Sequence, residues 1–81
     1  MIKIILHVQG MACPKCEARV NKAIQDSFPV ESVTSSHKKA TAEIICEDSV
    51  DSAAVRAAVE AAGYTVTGVA IKKKGLFGLW V

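Results

Sequence analysis

The 81 residues contain no apolar run approaching the ~20 needed to cross a bilayer. Residues 1–10 are too short, and too interrupted by His7 and Gln9, to read as a secretory signal. A cytoplasmic location with reduced thiols is the expectation. Charge of one sign is also scarce. Ten Lys plus Arg against eight Asp plus Glu leave a formal +2, mixed along the chain and too small for the electrostatic footprint of a general nucleic-acid binder. No repeat at a fixed period points to a solenoid. Length is modest as well: such a chain hides roughly 60–65% of its unfolded surface, which supports one domain with a thin two-layer core but no deep substrate cavity. Function is expected at the surface.

The pattern that is present reads as alternating strands and helices. Ile2, Ile4, Leu6 and Val8 occupy the even positions of the first strand, against Lys3, Ile5 and His7 on the odd ones, so the even face goes inward. After a loop at 9–12, Pro14 suits the first position of a helix capped by Cys13. Val20, Ala23, Ile24 and Ser27 then recur at helical spacing, and the helix ends before Pro29. Residues 30–36 are weakly strand-like, and His37-Lys38-Lys39 reads as a turn. Residues 40–46 alternate again, with Ala42, Ile44 and Cys46 on one side, which makes a hairpin. Asp51 is placed to cap a second helix with a stripe of Val55, Ala58, Val59 and Ala62. Val50 staples onto Val55 and Gly63 ends the helix. A last strand over 64–71 gives βαββαβ, an α+β arrangement with two helices on one face of a four-stranded antiparallel sheet. The domain is expected over 1–71, followed by a basic and apolar tail over 72–81, KKKGLFGLWV.

Chemistry concentrates in the cysteines. Their number is three, and Cys13 and Cys16 form a Cys-x-x-Cys, a spacing that suggests metal or redox work rather than a disulfide framework. Both lie where a strand meets a helix N-terminus, where unpaired backbone N–H groups and the helix dipole favour thiolate, with Lys15 adding positive charge. Two converging thiolates select soft cations such as Cu(I) or Zn(II) over hard ones. No second Cys pair or Cys-His pair exists, and residue 12 is Ala rather than a carboxylate, so the site favours a cation content with two sulfurs. Cys46 is expected about a strand length, ~20 Å, from that loop, as a buried inert thiol. His7 falls on the outward parity of the first strand. His37 shares the cysteines' end of the fold but sits at the other edge of the sheet, so neither histidine is assigned as a ligand. Met11 is assigned to packing.

Gly10-Met11-Ala12-Cys13-Pro14-Lys15-Cys16, placed after a first strand, resembles the Gly-Met-x-Cys-x-x-Cys signature of the heavy-metal-associated domain. Gly63-Tyr64 is similar to the same position in the family's bacterial copper chaperones. The resemblance implies a ferredoxin-like fold that binds Cu(I) between Cys13 and Cys16 and passes it to a similar domain of a copper-transporting P-type ATPase. It also implies Met11 as a core anchor of the binding loop and Tyr64 as a neighbour shielding the site. Delivery would be thiolate ligand exchange, with no reaction on an organic substrate and hence no enzyme activity. Gly10 would keep the loop mobile, and Lys15, Arg19 and Lys22, at helical spacing, would steer it to an acidic partner. A copper-bridged homodimer stays open. So does the tail, whose Leu76, Phe77, Leu79 and Trp80 suit a membrane surface, a fold-back onto the domain, or a second copy. Two other functions compete. One is a glutaredoxin-like oxidoreductase, which shares Cys-Pro-x-Cys but needs a proline opposite the pair that neither Pro14 nor Pro29 supplies. The other is a mercury or zinc carrier of the same fold.

Overall fold

In the computed structural model, which describes residues 1–73, the alternation of residues 2–8 becomes a central strand, β1 (Ile2–Gln9). It is followed by α1 (Pro14–Ser27), β2 (Val30–Ser36), β3 (Thr41–Cys46), α2 (Ser52–Ala61) and β4 (Thr65–Lys73). The strands lie in the order β2-β3-β1-β4 and every neighbouring pair is antiparallel. β3 thus inserts between β1 and β2, the split βαβ of a ferredoxin-like sandwich. This is the α+β fold expected from the sequence.

The core is the even face of β1 pressed against both helices. Ile4 and Leu6 are fully buried beside Ala42 and Ile44 of β3, Val20 and Ile24 of α1, and Val55 and Val59 of α2. Each large side chain so buried contributes about 1.5–3 kcal/mol of transfer free energy. The caps follow local chemistry. Asp51 accepts a hydrogen bond from the Ala53 N–H at 2.9 Å, Val50 is buried behind it, and Gly63 takes the left-handed φ of +102° that ends α2. Ala62, expected in the apolar stripe, is exposed, because the turn has already rotated away from the sheet.

Three boundaries differ from the pattern. Ala40 belongs to the turn at φ +55° rather than to β3; its carbonyl accepts from Val8 N–H at 2.8 Å. Tyr64 precedes β4 rather than starting it. β4 continues through Lys73, since its pairing with β1 runs on to Ile2. A bulge then shifts the register: His7 faces Gly68 whereas Val8 faces Val66, leaving Thr67 extra, and its hydroxyl donates to the His7 carbonyl at 3.3 Å. Beyond the bulge Val69 and Ile71 face Leu6 and Ile4 across the sheet, so they share the helix-facing side, yet they are 38% and 50% exposed. Lys72 and Lys73 are strand residues; what was expected of 74–81 lies outside the described residues. No helix among the described residues is long and apolar enough to cross a membrane.

Candidate metal site

The loop between β1 and α1 holds the two cysteines because each of its residues has a separate constraint. Gly10 sits at φ +92°, a conformation in which a side chain is strained, and lets the chain leave β1. Met11 is 5% exposed and joins the core, pinning the loop from below. Cys13 is the helix cap in extended conformation (φ −156°, ψ 168°), with Pro14 next. Its carbonyl accepts from the N–H groups of Cys16 (3.0 Å) and Glu17 (3.3 Å). Its thiol, however, makes no capping bond to the helix. Three residues apart, the two cysteines share one helical face, and their Sγ atoms stand 3.5 Å apart as free, partly exposed thiols.

The environment acidifies one of them. The Tyr64 hydroxyl, then the Ala12 backbone and the Cys13 thiol, form hydrogen bonds that favour the Cys16 thiolate, and the Cys16 pKa is lowered to about 7. Tyr64 is pushed up in turn, chiefly by the same bond, while Arg19 beside it acts in the opposite direction. Local hydrogen bonds rather than the Lys15 charge therefore carry the effect that was expected of the helix end and its lysine. Tyr64 is half-buried, and its ring lies 3.7 Å from where a side chain on Gly10 would begin. It covers the flank of the loop.

The other candidates fall where their parity put them. His7 is exposed, with its ring against Gly68 on the sheet face away from the helices. Cys46 is 1% exposed at the far end of β3, in register with Ile2, and burial raises its pKa, with Asp48 adding to the effect. His37 has a role that no sequence pattern announced. Its backbone N–H (2.6 Å) and Nδ1–H (2.7 Å) both donate to Glu17 Oε2, and the Glu17 carboxyl is held below its ordinary range by those bonds. The turn after β2 is thereby tied to the first turn of α1. A carboxylate one residue past Cys16 was the only available hint; its partner lies twenty residues on. Lys22 pairs with Asp26 at 3.1 Å, so the basic face of α1 is reduced to Lys15 and Arg19. Among the described residues no group of three His, Cys, Asp or Glu is gathered.

Residues 5–65 match the heavy-metal-associated domain. The chain belongs to that family. Its fold superposes on the CopZ metallochaperone with a TM-score of 0.77 and 29% identity, covering 80% of this chain and 98% of the other. The N-terminal domain of Tn501 mercuric reductase, solved as its Hg(II) complex, gives 0.70 and 33% identity, covering 78% and 91%. A mercuric reductase from Shewanella putrefaciens is 36% identical over 61 residues, which are 75% of this chain but 11% of that enzyme. A heavy-metal-associated domain is a small metal-binding carrier fold, and the antiparallel sheet sets aside the glutaredoxin-like alternative, whose Cys-x-x-Cys accompanies a parallel βαβ unit.

Proposed function

We propose that the chain is a metallochaperone that binds Cu(I) between the Cys13 and Cys16 sulfurs and hands it to a similar domain of a copper-transporting P-type ATPase. The supporting observation is the open thiol pair at 3.5 Å with one member near half-ionised at neutral pH. With metal–sulfur bonds of about 2.3 Å, that separation corresponds to a sulfur–metal–sulfur angle of about 100°, whereas linear coordination needs sulfurs about 4.6 Å apart. A bent pair leaves one side of the ion open. An incoming thiolate attacks there, a three-sulfur intermediate forms, and one original sulfur departs with its coordination replaced. The exposed loop provides access, and Lys15 and Arg19 supply the charge that favours an acidic partner.

The test is competition among Cu(I), Zn(II) and Hg(II) for the full chain under reducing conditions. One tightly held Cu(I) per chain is expected, lost in Cys13→Ser and in Cys16→Ser. Stoichiometric copper retained by the double serine variant would end the proposal. The identity to two mercuric reductases favours a second reading, a mercury carrier of the same fold. Preference for Hg(II) in that competition, together with failure to pass Cu(I) to an ATPase domain, would establish it instead.

A further inference from the structure

The first turn of α1, which carries Cys16, has few bonds of its own. Cys13 caps the helix without a side-chain hydrogen bond, and Pro14 brings no N–H. The turn is closed by the Cys13 carbonyl, which accepts from Cys16 at 3.0 Å and from Glu17 at 3.3 Å. The sheet at the same end is better fixed. The Ala40 carbonyl accepts from the Val8 N–H at 2.8 Å, and the Lys39 N–H donates to Ser36 Oγ at 3.3 Å, so the turn between β2 and β3 is pinned to β1 just before Gly10. From that fixed turn His37 reaches Glu17. Both of its donors meet Oε2, at 2.6 and 2.7 Å, the short range of charge-assisted bonds, and the two side chains are only 27% and 24% exposed. A second link joins the same two elements one helical turn further from the thiols, where the Ser35 hydroxyl donates to Asn21 Oδ1 at 2.5 Å.

We propose that Glu17 and His37 are positioning residues for metal capture: their clasp does the work of the missing helix cap and holds Cys16 beside Cys13. The proposal rests on the metal-binding reading of the thiol pair. Cys16 and Glu17 are neighbours in a single turn, so the backbone cannot carry Glu17 away from His37 without carrying Cys16 as well. Cys13 precedes the helix, on a loop anchored in the core through Met11. Fraying of the first turn therefore draws the two sulfurs out of their 3.5 Å approach. With the turn clasped, both ligands are ordered before the ion arrives, and less ordering remains to be done on binding.

The decisive variant is His37→Ala, which deletes the ring donor and leaves every residue of the cysteine loop unchanged. In the metal-free full chain, hydrogen exchange at the Cys16 and Glu17 amides should quicken about tenfold, since a hydrogen bond to a charged acceptor is worth at least that factor. The amides of Ile4 and Ile44 should change far less. Cu(I) affinity, measured against a competing chelator, should fall several-fold. His37→Asn, whose side-chain amide donates from close to the place of Nδ1, should return most of both. Ser35→Ala breaks the more distant link and should leave both as in the native chain. Unchanged exchange at Cys16 and Glu17 in His37→Ala overturns the proposal, and so does unchanged Cu(I) affinity. Equal losses in Ser35→Ala overturn it too, because docking of the whole helix would then be sufficient. A native chain that binds no Cu(I) ends the chaperone reading instead, and exchange at the two amides still decides the clasp.

Discussion

Cys16 and Cys46 carry the same thiol at opposite ends of the domain, and their environments drive them in opposite directions. Cys46 lies in register with Ile2 at the start of β1, 1% exposed and pushed up by desolvation. Cys16 lies past the end of β1, in the first turn of α1, partly exposed and lowered to about 7 by Tyr64, Ala12 and Cys13. In one case the sulfur has the surroundings of a small apolar residue; in the other it has the access and thiolate character that a nucleophile or soft ligand needs. Hydrogen-bond donors and access, rather than the residue type, decide which.

The strongest way to break this contrast is to remove the sulfurs one at a time. Cys13→Ser or Cys16→Ser should lower Cu(I) affinity by more than the roughly 10–100-fold that loss of an outer-shell partner costs, measured against a competing chelator. Cys46→Ser should leave one copper per chain and instead cost about 1–3 kcal/mol of stability, from burying a hydroxyl in an apolar site. Copper lost with Cys46 would mean that the two ends are not chemically separate.

A second measurement compares the thiols in the metal-free protein by alkylation. At pH 7 a group with pKa about 7 is about half thiolate, against about 1% for one at the ordinary 9.0, a ratio of roughly 50 before access is counted. Cys16 should therefore be modified at least that much faster than Cys46, its rate rising with pH through a midpoint near 7, and Cys46 should become reactive only on unfolding. Equal rates in the folded protein would contradict the burial that separates them.

What was readable in advance was whatever depends on neighbours in sequence. The alternation of Ile2, Ile4, Leu6 and Val8, the Asp51 cap and the Cys13/Cys16 spacing are all local, and each has its expected place in the structure. The donor that acidifies Cys16 most was not readable from periodicity: Tyr64 is 48 positions away and reaches the loop only because β4 returns beside β1. Its placement was suggested by family resemblance. The bulge at Thr67 was also hidden, because an extra residue in a strand leaves no mark on a pattern of Val, Thr, Gly and Ala. Likewise the Glu17–His37 tie needs α1 to lie over β2, which no single segment specifies.

Tyr64→Phe sharpens the contrast by keeping the ring and deleting the donor. The Cys16 midpoint in the alkylation profile should move up toward the ordinary thiol value, since the largest cause of its lowering is gone. Copper affinity near pH 7 should fall about tenfold, the low end of an outer-shell effect, because more protons must now be displaced. Cys46 should not respond. An unchanged midpoint would leave the Ala12 backbone and Cys13 as sufficient causes.

The smallest effect tests whether the cysteine end also carries an acid sensitivity that the Cys46 end lacks. Glu17 has its carboxyl lowered from 4.5 by the His37 backbone N–H and ring. A depressed carboxyl binds its proton more readily in the unfolded chain. The stabilisation is therefore fully present above about pH 4.5 and is lost as pH falls through the lower folded value. Glu17→Gln should make the metal-free protein slightly less stable to urea at neutral pH, with the two unfolding midpoints converging on acidification. Because Glu17 is a quarter exposed, solvent screens the interaction and the gap should be modest. A gap that persists undiminished to strongly acidic pH would mean that the substituted amide disrupts the packing of α1 on the β2–β3 turn, and that the His37 contacts hold the helix by shape rather than by charge.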